Sequence, residues 1–141
     1  MLDGVPRTLN HVGFAVPSLE PAMALFRDTF GARLTPIIED PIQRVRLCFA
    51  EYTGGRVELI EPLGPDSPVS QIVARSGGGL YHLCFETSDL EAEFASLRKQ
   101  GFIPTGPPQP AVAFDGRRVA FLFHKTAQLI ELVEVTGSPG D

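Results

Sequence analysis

The stretch LNHVGFAVPSLEPAMALF at residues 9–26 recurs later in the chain as LYHLCFETSDLEAEFASL at residues 80–97. The two stretches align without a gap, and the alignment places His11 on His82. Both begin with alternating apolar residues, as in a strand, and continue with the apolar spacing of an amphipathic helix. The repeated unit therefore starts with a strand and a helix, and the chain contains it twice.

Later segments repeat in the same order and at nearly the same spacing. VELIE at residues 57–61 matches IELVE at residues 130–134, which aligns Glu58 with Glu131. A further matching pair is RVRLCFA at residues 44–50 and RVAFLFH at residues 118–124. Each of these segments has the length and the β-branched or aromatic content of a strand. Order and spacing together indicate a duplicated module.

These elements predict an α+β fold in which two tandem βαβββ modules form one concave mixed sheet. We expect the first module at residues 1–66 and the second at residues 80–141. Residues 67–79, SPVSQIVARSGGG, predict a linker helix and a glycine-rich joint between the modules. The length of 141 residues suits one compact domain built from both modules.

Composition limits the classes of function. A net charge of −5 argues against a nucleic-acid partner, because nucleic acids select for basic surfaces. No apolar run approaches the roughly 20 residues of a membrane-spanning helix, so no membrane partner is expected. The start of the chain lacks the layout of a signal peptide, and two cysteines form no disulfide framework. These features favour a cytoplasmic protein.

Strand alternation sends the repeated histidines and glutamates to the concave face of the predicted sheet. In the first strand, the apolar residues that follow the histidine at alternate positions face the helix, which leaves His11 on the opposite face. The same rule places His82, Glu58 and Glu131 on the concave face. The four side chains converge if the modules pack around a pseudo-twofold axis.

Two imidazoles and two carboxylates at equivalent positions of a duplicated module require a common cause. A glutamate between apolar neighbours on a central strand is unfavourable unless a positive group compensates its charge. Convergence of His11, Glu58, His82 and Glu131 therefore predicts one divalent metal ion with nitrogen and oxygen ligands. Zinc, nickel, cobalt, manganese and iron(II) all suit this ligand set. A hydrogen-bonded network of the same residues without metal is the alternative.

Paired βαβββ modules, each with a histidine near its start and a glutamate near its end, resemble the vicinal oxygen chelate superfamily. This superfamily is also called the glyoxalase/bleomycin resistance/dioxygenase superfamily. The resemblance covers about residues 8–135 and implies the fold of that superfamily around a metal site. Within it, the segments HVGFAVPSLEPAMALFRDTFG, VELIEPLGPDSPVSQIV and GLYHLCFETSDLE look most like methylmalonyl-CoA epimerases.

The resemblance implies a metal-dependent isomerase that abstracts the α-proton of a small acyl thioester, such as a CoA thioester. It also implies the four residues above as metal ligands, and a homodimer. Glu131 and Glu86 are the candidate catalytic bases. Glu86 lies on the same predicted face as His82, two residues further along, and a solvent-facing position at the strand end is its alternative.

One position departs from the epimerase pattern. These epimerases use a glutamate on the third strand as an acid–base residue, and the alignment places Arg46 there. Alternation in RVRLCF sends Val45, Leu47 and Phe49 toward the helix and Arg46 toward the cavity. An arginine cannot take a proton from carbon, but it binds anionic groups through paired hydrogen bonds. Arg46 is therefore predicted to bind substrate, with a solvated cation at the strand edge as the alternative.

Two other functions stay open. The ligand order His, Glu, His, Glu is also that of bacterial-type lactoylglutathione lyase, although the loop sequences differ from those of that enzyme. The superfamily also contains non-catalytic small-molecule binding proteins. Three results distinguish these functions. Exchange of the α-proton of acyl thioesters indicates the isomerase, and turnover of a glutathione hemithioacetal indicates the lyase. Binding without turnover indicates the binding protein.

Overall fold

A computed structural model describes residues 7–135, which form one sheet that curls around a cavity. The strands are β1 (Leu9–Ala15), β2 (Arg33–Leu34), β3 (Ile38–Asp40), β4 (Val45–Tyr52), β5 (Gly55–Pro62), β6 (Gly79–Thr87), β7 (Ile103–Pro104), β8 (Gln109–Pro110), β9 (Arg118–His124) and β10 (Gln128–Glu134). The helices are α1 (Leu19–Asp28), α2 (Ser70–Ser76) and α3 (Leu90–Lys99), with a 3-10 turn at Val112–Phe114.

The two modules meet at the centre of the sheet, where β1 and β6 pair antiparallel. In each module the first strand also pairs in parallel with the last, β1 with β5 and β6 with β10. The strand order is β2-β4-β5-β1-β6-β10-β9-β7, with β3 paired to β4 and β8 to β9. This order is symmetric about the β1–β6 pair and confirms the predicted α+β fold with a concave mixed sheet.

Helices α1 and α3 cover the convex face of the sheet, one on each module. Leu19 of α1 packs in a cluster with Leu59, and Leu90 of α3 packs in the equivalent cluster with Leu132. The backbone N–H of Leu19 donates to Glu61 Oε1 at 2.7 Å, which caps the start of α1. None of the described helices is both long and apolar enough to cross a membrane.

Some predicted elements differ in detail from the observed ones. The first strand after the helix of each predicted βαβββ module is a pair of short strands, β2 and β3 in the first module and β7 and β8 in the second. The linker helix is α2 (Ser70–Ser76), and Gly77 is its C-cap. Gly77 has a φ of 77°, a left-handed conformation that glycine adopts without steric cost, and this explains why the helix ends there.

Asp40, at the end of β3, ties the first module to the second. Its buried carboxylate accepts hydrogen bonds from the backbone N–H groups of Ile42, Gln43 and Val112, each at 3.0 Å. Because Val112 belongs to the 3-10 turn of the second module, this carboxylate fixes that turn against the first module. Phe114 of the same 3-10 turn lies on the concave face and lines the cavity.

Candidate metal centre

The four predicted ligands lie on four neighbouring strands at the middle of the sheet. In spatial order they are Glu58 on β5, His11 on β1, His82 on β6 and Glu131 on β10. All four residues are buried, with 1% of the surface of His11 and 5–6% of the surface of the others exposed. The structure thus brings together one imidazole and one carboxylate from each module.

The ligand atoms face one another at the spacing of a coordination shell. The Nε2 atoms of His11 and His82 are 2.9 Å apart. Oε1 of Glu58 lies 3.2 and 3.4 Å from these two nitrogens, and Oε1 of Glu131 lies 3.2 and 2.9 Å from them. Metal–ligand bonds of about 2.0–2.2 Å place adjacent ligands roughly 3 Å apart. The spacing therefore fits a single divalent ion.

The charges of the four groups depend on one another. Burial disfavours protonation of His82, but the Glu131 and Glu58 carboxylates together outweigh burial and raise the pKa of this imidazole to about 9. In the same way, Glu58 and Glu131 together outweigh the burial of His11 and raise its pKa. Burial disfavours ionisation of both carboxyls, yet the imidazoles lower the pKa of each. Positive charge must therefore lie between the carboxylates, and either imidazole protons or a bound cation supplies it.

Two buried atoms of the centre lack a hydrogen bond to any described residue. They are Oε1 of Glu131 and Nδ1 of His82. Glu131 Oε1 lies 2.9 Å from His82 Nε2, but this contact lacks the geometry of a hydrogen bond. Buried polar atoms are nearly always paired, so the orientation of this oxygen needs another partner. Coordination of a cation provides one, and the donor set suits a divalent transition metal.

Asn10 holds His11 in the orientation that metal binding requires. With its proton on Nδ1, His11 donates to Asn10 Oδ1 at 2.8 Å, and the Nε2 lone pair faces the centre. Asn10 Oδ1 also accepts from Arg56 Nη2 at 3.0 Å, and Arg56 lies over the Phe49 ring. Sequence reasoning did not identify this network. An amide next to a candidate ligand histidine is the signal that could have revealed it.

Glu86 belongs to the same network and lies away from the cavity. Its Oε2 accepts a hydrogen bond of 2.9 Å from the Asn10 side chain, and Glu86 is not among the residues that line the cavity. The prediction that Glu86 is a base facing the substrate is therefore wrong in its geometry. Glu86 instead supports Asn10 behind the candidate ligand His11.

Arg46 lies on the convex side of β4, so the prediction that it faces the cavity is wrong. Its guanidinium donates to Glu61 at 2.9 Å and to Glu20 of α1 at 2.8 Å. The pairing of β4 with β5 explains this position, because residues directly opposite each other in an antiparallel pair share a face. Phe49 is opposite Glu58, which faces the cavity, whereas Arg46 is opposite Glu61.

A cavity of about 400 Å³ opens beside the centre. Glu58, His82 and Glu131 line it, and Arg44 supplies a positive charge at an exposed part of the lining. Most of the remaining wall is apolar and includes Val45, Leu47, Ile60, Val69, Phe114, Val119 and Phe121. Such a chamber, with the metal centre set into a mostly apolar wall, suits a small apolar group whose oxygens face the metal centre.

A sequence profile of the Glyoxalase/Bleomycin resistance protein/Dioxygenase superfamily matches residues 10–121 of this chain. The chain belongs to this superfamily. The matched segment includes His11, Glu58 and His82, and it confirms the family that the repeated motifs predicted.

Epimerases are among the most similar members of the superfamily. The chain is 35% identical over 130 residues to an ethylmalonyl-CoA/methylmalonyl-CoA epimerase of Cereibacter sphaeroides, which covers 90% of this chain and 97% of that protein. Its structure is similar to that of methylmalonyl-CoA epimerase from Mycobacterium tuberculosis, with a TM-score of 0.82 and 30% identity, over 99% of this chain and 94% of that one. It is also similar to a Streptomyces coelicolor methylmalonyl-CoA epimerase variant in complex with 2-nitronate-propionyl-CoA, with a TM-score of 0.78 and 27% identity, over 96% and 100% of the two chains.

In this member of the superfamily, Gly13 gives a direct test of the position of His82. A Cβ atom added to Gly13 would lie only 2.6 Å from Nδ1 and 2.7 Å from Nε2 of His82. Gly13→Ala is therefore expected to push the imidazole out of the centre and to lower metal affinity at least about 10-fold. Competition with a chelating indicator measures this affinity.

Gly54→Ala is the matched control for Gly13→Ala. A Cβ atom at Gly54 would have no neighbour within 4 Å, so this variant should bind metal as the wild type does. Unchanged metal affinity in Gly13→Ala would show that crowding of the His82 imidazole does not affect metal binding. That result would count against His82 as a ligand.

Proposed function

We propose that this protein is a metal-dependent isomerase of the epimerase type, which removes and returns the α-proton of a small acyl-CoA thioester. Its main support is the convergence of two imidazoles and two carboxylates beside a cavity, in a chain 35% identical to an acyl-CoA epimerase over most of its length. A further support is the similarity to a solved epimerase variant that holds 2-nitronate-propionyl-CoA.

In this proposal His11, Glu58, His82 and Glu131 hold one divalent cation. Bound there, the cation supplies Lewis acidity, which polarises the thioester carbonyl and acidifies the adjacent C–H, an effect worth roughly several kcal/mol. The apolar cavity walls keep water away from the acyl group. Electrostatic interactions are stronger in such surroundings, because the local dielectric constant is lower.

Glu131 is the proposed base. A carboxylate has two oxygens, so Glu131 can bind the cation through one and accept the α-proton through the other. Glu58 reaches the cavity from the other module, on the far side of the β1–β6 pair. The imidazoles lower the pKa of Glu58, so water rather than this carboxyl supplies the proton that returns to the opposite face of the α-carbon. Glu131 then releases its proton to the hydroxide that this water leaves, which restores the starting state without any acid–base residue on β4.

Deuterium exchange tests the proposed function. Metal-reconstituted protein is incubated in D2O with propionyl-, butyryl-, methylmalonyl- and ethylmalonyl-CoA, and the α-carbon is followed by NMR and mass spectrometry. We expect exchange with at least one thioester and its loss on chelation. Turnover of a glutathione hemithioacetal without such exchange would support a lactoylglutathione lyase instead, and binding without either reaction would support a binding protein.

A homodimer and a cytoplasmic location stay predictions from the sequence and the family resemblance. Size-exclusion chromatography with light scattering measures the first. Cell fractionation with an antibody to the chain measures the second.

A further inference from the structure

A bulge displaces Tyr81 from the regular alternation of β6. In the ladder between β1 and β6, Gly13 pairs with His82 and Phe14 pairs with Leu80, which leaves Tyr81 without a partner. An extra residue of this kind bends the strand and re-aims its own side chain. Regular alternation would place the residue before His82 on the convex side, whereas Tyr81 lines the cavity on the concave side.

The Tyr81 ring forms part of the cavity wall beside the metal centre. It packs against the apolar cluster of the concave face, which includes Ala15, Leu47 and Ile60. It also meets the His82 ring edge-on, with 5.2 Å between the ring centroids and 65° between the planes. The phenol therefore stands between a candidate metal ligand and the apolar space of the cavity.

The Tyr81 hydroxyl takes no part in the hydrogen bonds of this region. Those bonds join His11 to His82 and to Asn10, and Asn10 to Glu86. A buried tyrosine hydroxyl usually finds a partner, and a phenylalanine would serve equally well if the ring only filled space. The hydroxyl of a residue that lines the cavity, without a hydrogen-bond partner among the described residues, is available to a bound molecule.

We propose that the Tyr81 hydroxyl donates a hydrogen bond to the substrate oxygen that gains negative charge when the α-proton leaves. This inference rests on the proposed function, because it assigns the hydroxyl to the thioester carbonyl of the same reaction. A donor fixed in place before the reaction stabilises the developing charge without reorganising. A phenol also does this without adding charge to a centre that already holds two carboxylates.

Tyr81→Phe tests the inference, with Tyr52→Phe as the matched control. Tyr52 is the other tyrosine of the chain, and it lies partly exposed at the end of β4. In Tyr81→Phe we expect kcat/KM for α-deuterium exchange to fall by about 10- to 100-fold, the range for one lost hydrogen bond to a charged oxygen. Metal content and thermal stability should not change, and Tyr52→Phe should behave as the wild type.

A binding measurement without turnover separates substrate contact from packing. The affinity for 2-nitronate-propionyl-CoA, whose acyl group carries negative charge, should fall in Tyr81→Phe by a similar factor, while the affinity for propionyl-CoA, whose acyl group is neutral, should fall less. Equal loss for both compounds, or no loss for either, would overturn the inference while leaving the proposed function standing. A wild-type protein that neither binds nor exchanges any acyl thioester would overturn both.

Discussion

Replacing His82 by alanine is expected to leave the purified protein without bound divalent metal. Nε2 of His82 lies 2.9–3.4 Å from the ligand atoms of the other three residues, so its removal opens the centre of the cluster. Loss of a direct ligand should lower metal affinity by more than about 100-fold, since loss of a supporting residue alone costs 10- to 100-fold. Elemental analysis after gel filtration in metal-free buffer measures the bound metal.

His124→Ala is the matched control for His82→Ala. His124 is the third histidine of the chain, and its ring packs against Phe102 away from the metal centre. This variant should keep its metal. Bound metal stabilises the folded protein, so the two variants and the wild type are compared after treatment with a chelator. Circular dichroism and thermal unfolding then show whether the fold is unchanged. A wild-type metal content in His82→Ala would show that the four residues do not form the metal site.

Glu131→Gln is expected to lower the rate of α-proton exchange by about 100- to 10,000-fold, the usual contribution of a general base. The amide of glutamine keeps an oxygen that can bind the cation but cannot accept the proton. Glu86→Gln makes the same chemical change at the other predicted base, which hydrogen-bonds Asn10 outside the cavity. It should reduce exchange by less than about 10-fold, through its effect on the support of His11.

Metal content separates loss of the base from loss of the cation in these two variants. Both are assayed after reconstitution to equal occupancy, with deuterium incorporation followed by mass spectrometry. If Glu86→Gln stopped exchange and Glu131→Gln did not, the roles proposed for the two carboxylates would be reversed.

The repeat made the cluster of two imidazoles and two carboxylates predictable from sequence. Alternation on β1, β5, β6 and β10 placed the four residues on the concave face because their neighbours on the other face are apolar and pack against the helices, as Leu59 and Leu132 do. Duplication then ruled out coincidence, since His11 and Glu58 have counterparts in the second module. Strong local patterns and repetition were sufficient for this part of the site.

Alternation on β4 failed because both faces of that strand are buried. Leu47 and Phe49 on one face and Cys48 and Ala50 on the other are all at most 3% exposed, so the residue pattern does not distinguish the faces. Only the register with β5 does so, and it turns Arg46 away from the cavity. A register between strands depends on contacts that a single strand sequence does not contain.

The bulge at Tyr81 was beyond sequence reasoning for a related reason. The bulge is a mismatch between two strands. Gly13 and Phe14 are adjacent in β1, but their partners His82 and Leu80 have Tyr81 between them in β6. Nothing in the letters LYHLCFE marks an extra residue. Regular alternation is therefore correct for His82 but would place Tyr81 on the convex side, whereas Tyr81 lines the cavity.

The antiparallel β1–β6 pair at the middle of the sheet makes the chain equivalent to a tethered symmetric dimer. A half-length chain would carry one imidazole and one carboxylate, and it would need a second copy to complete the centre. Fusion makes that association intramolecular and independent of protein concentration. It also frees equivalent positions to specialise: Asn10 before His11 orients a ligand, whereas Tyr81 before His82 faces the cavity. An unfused dimer of identical halves would have to use one residue type for both tasks.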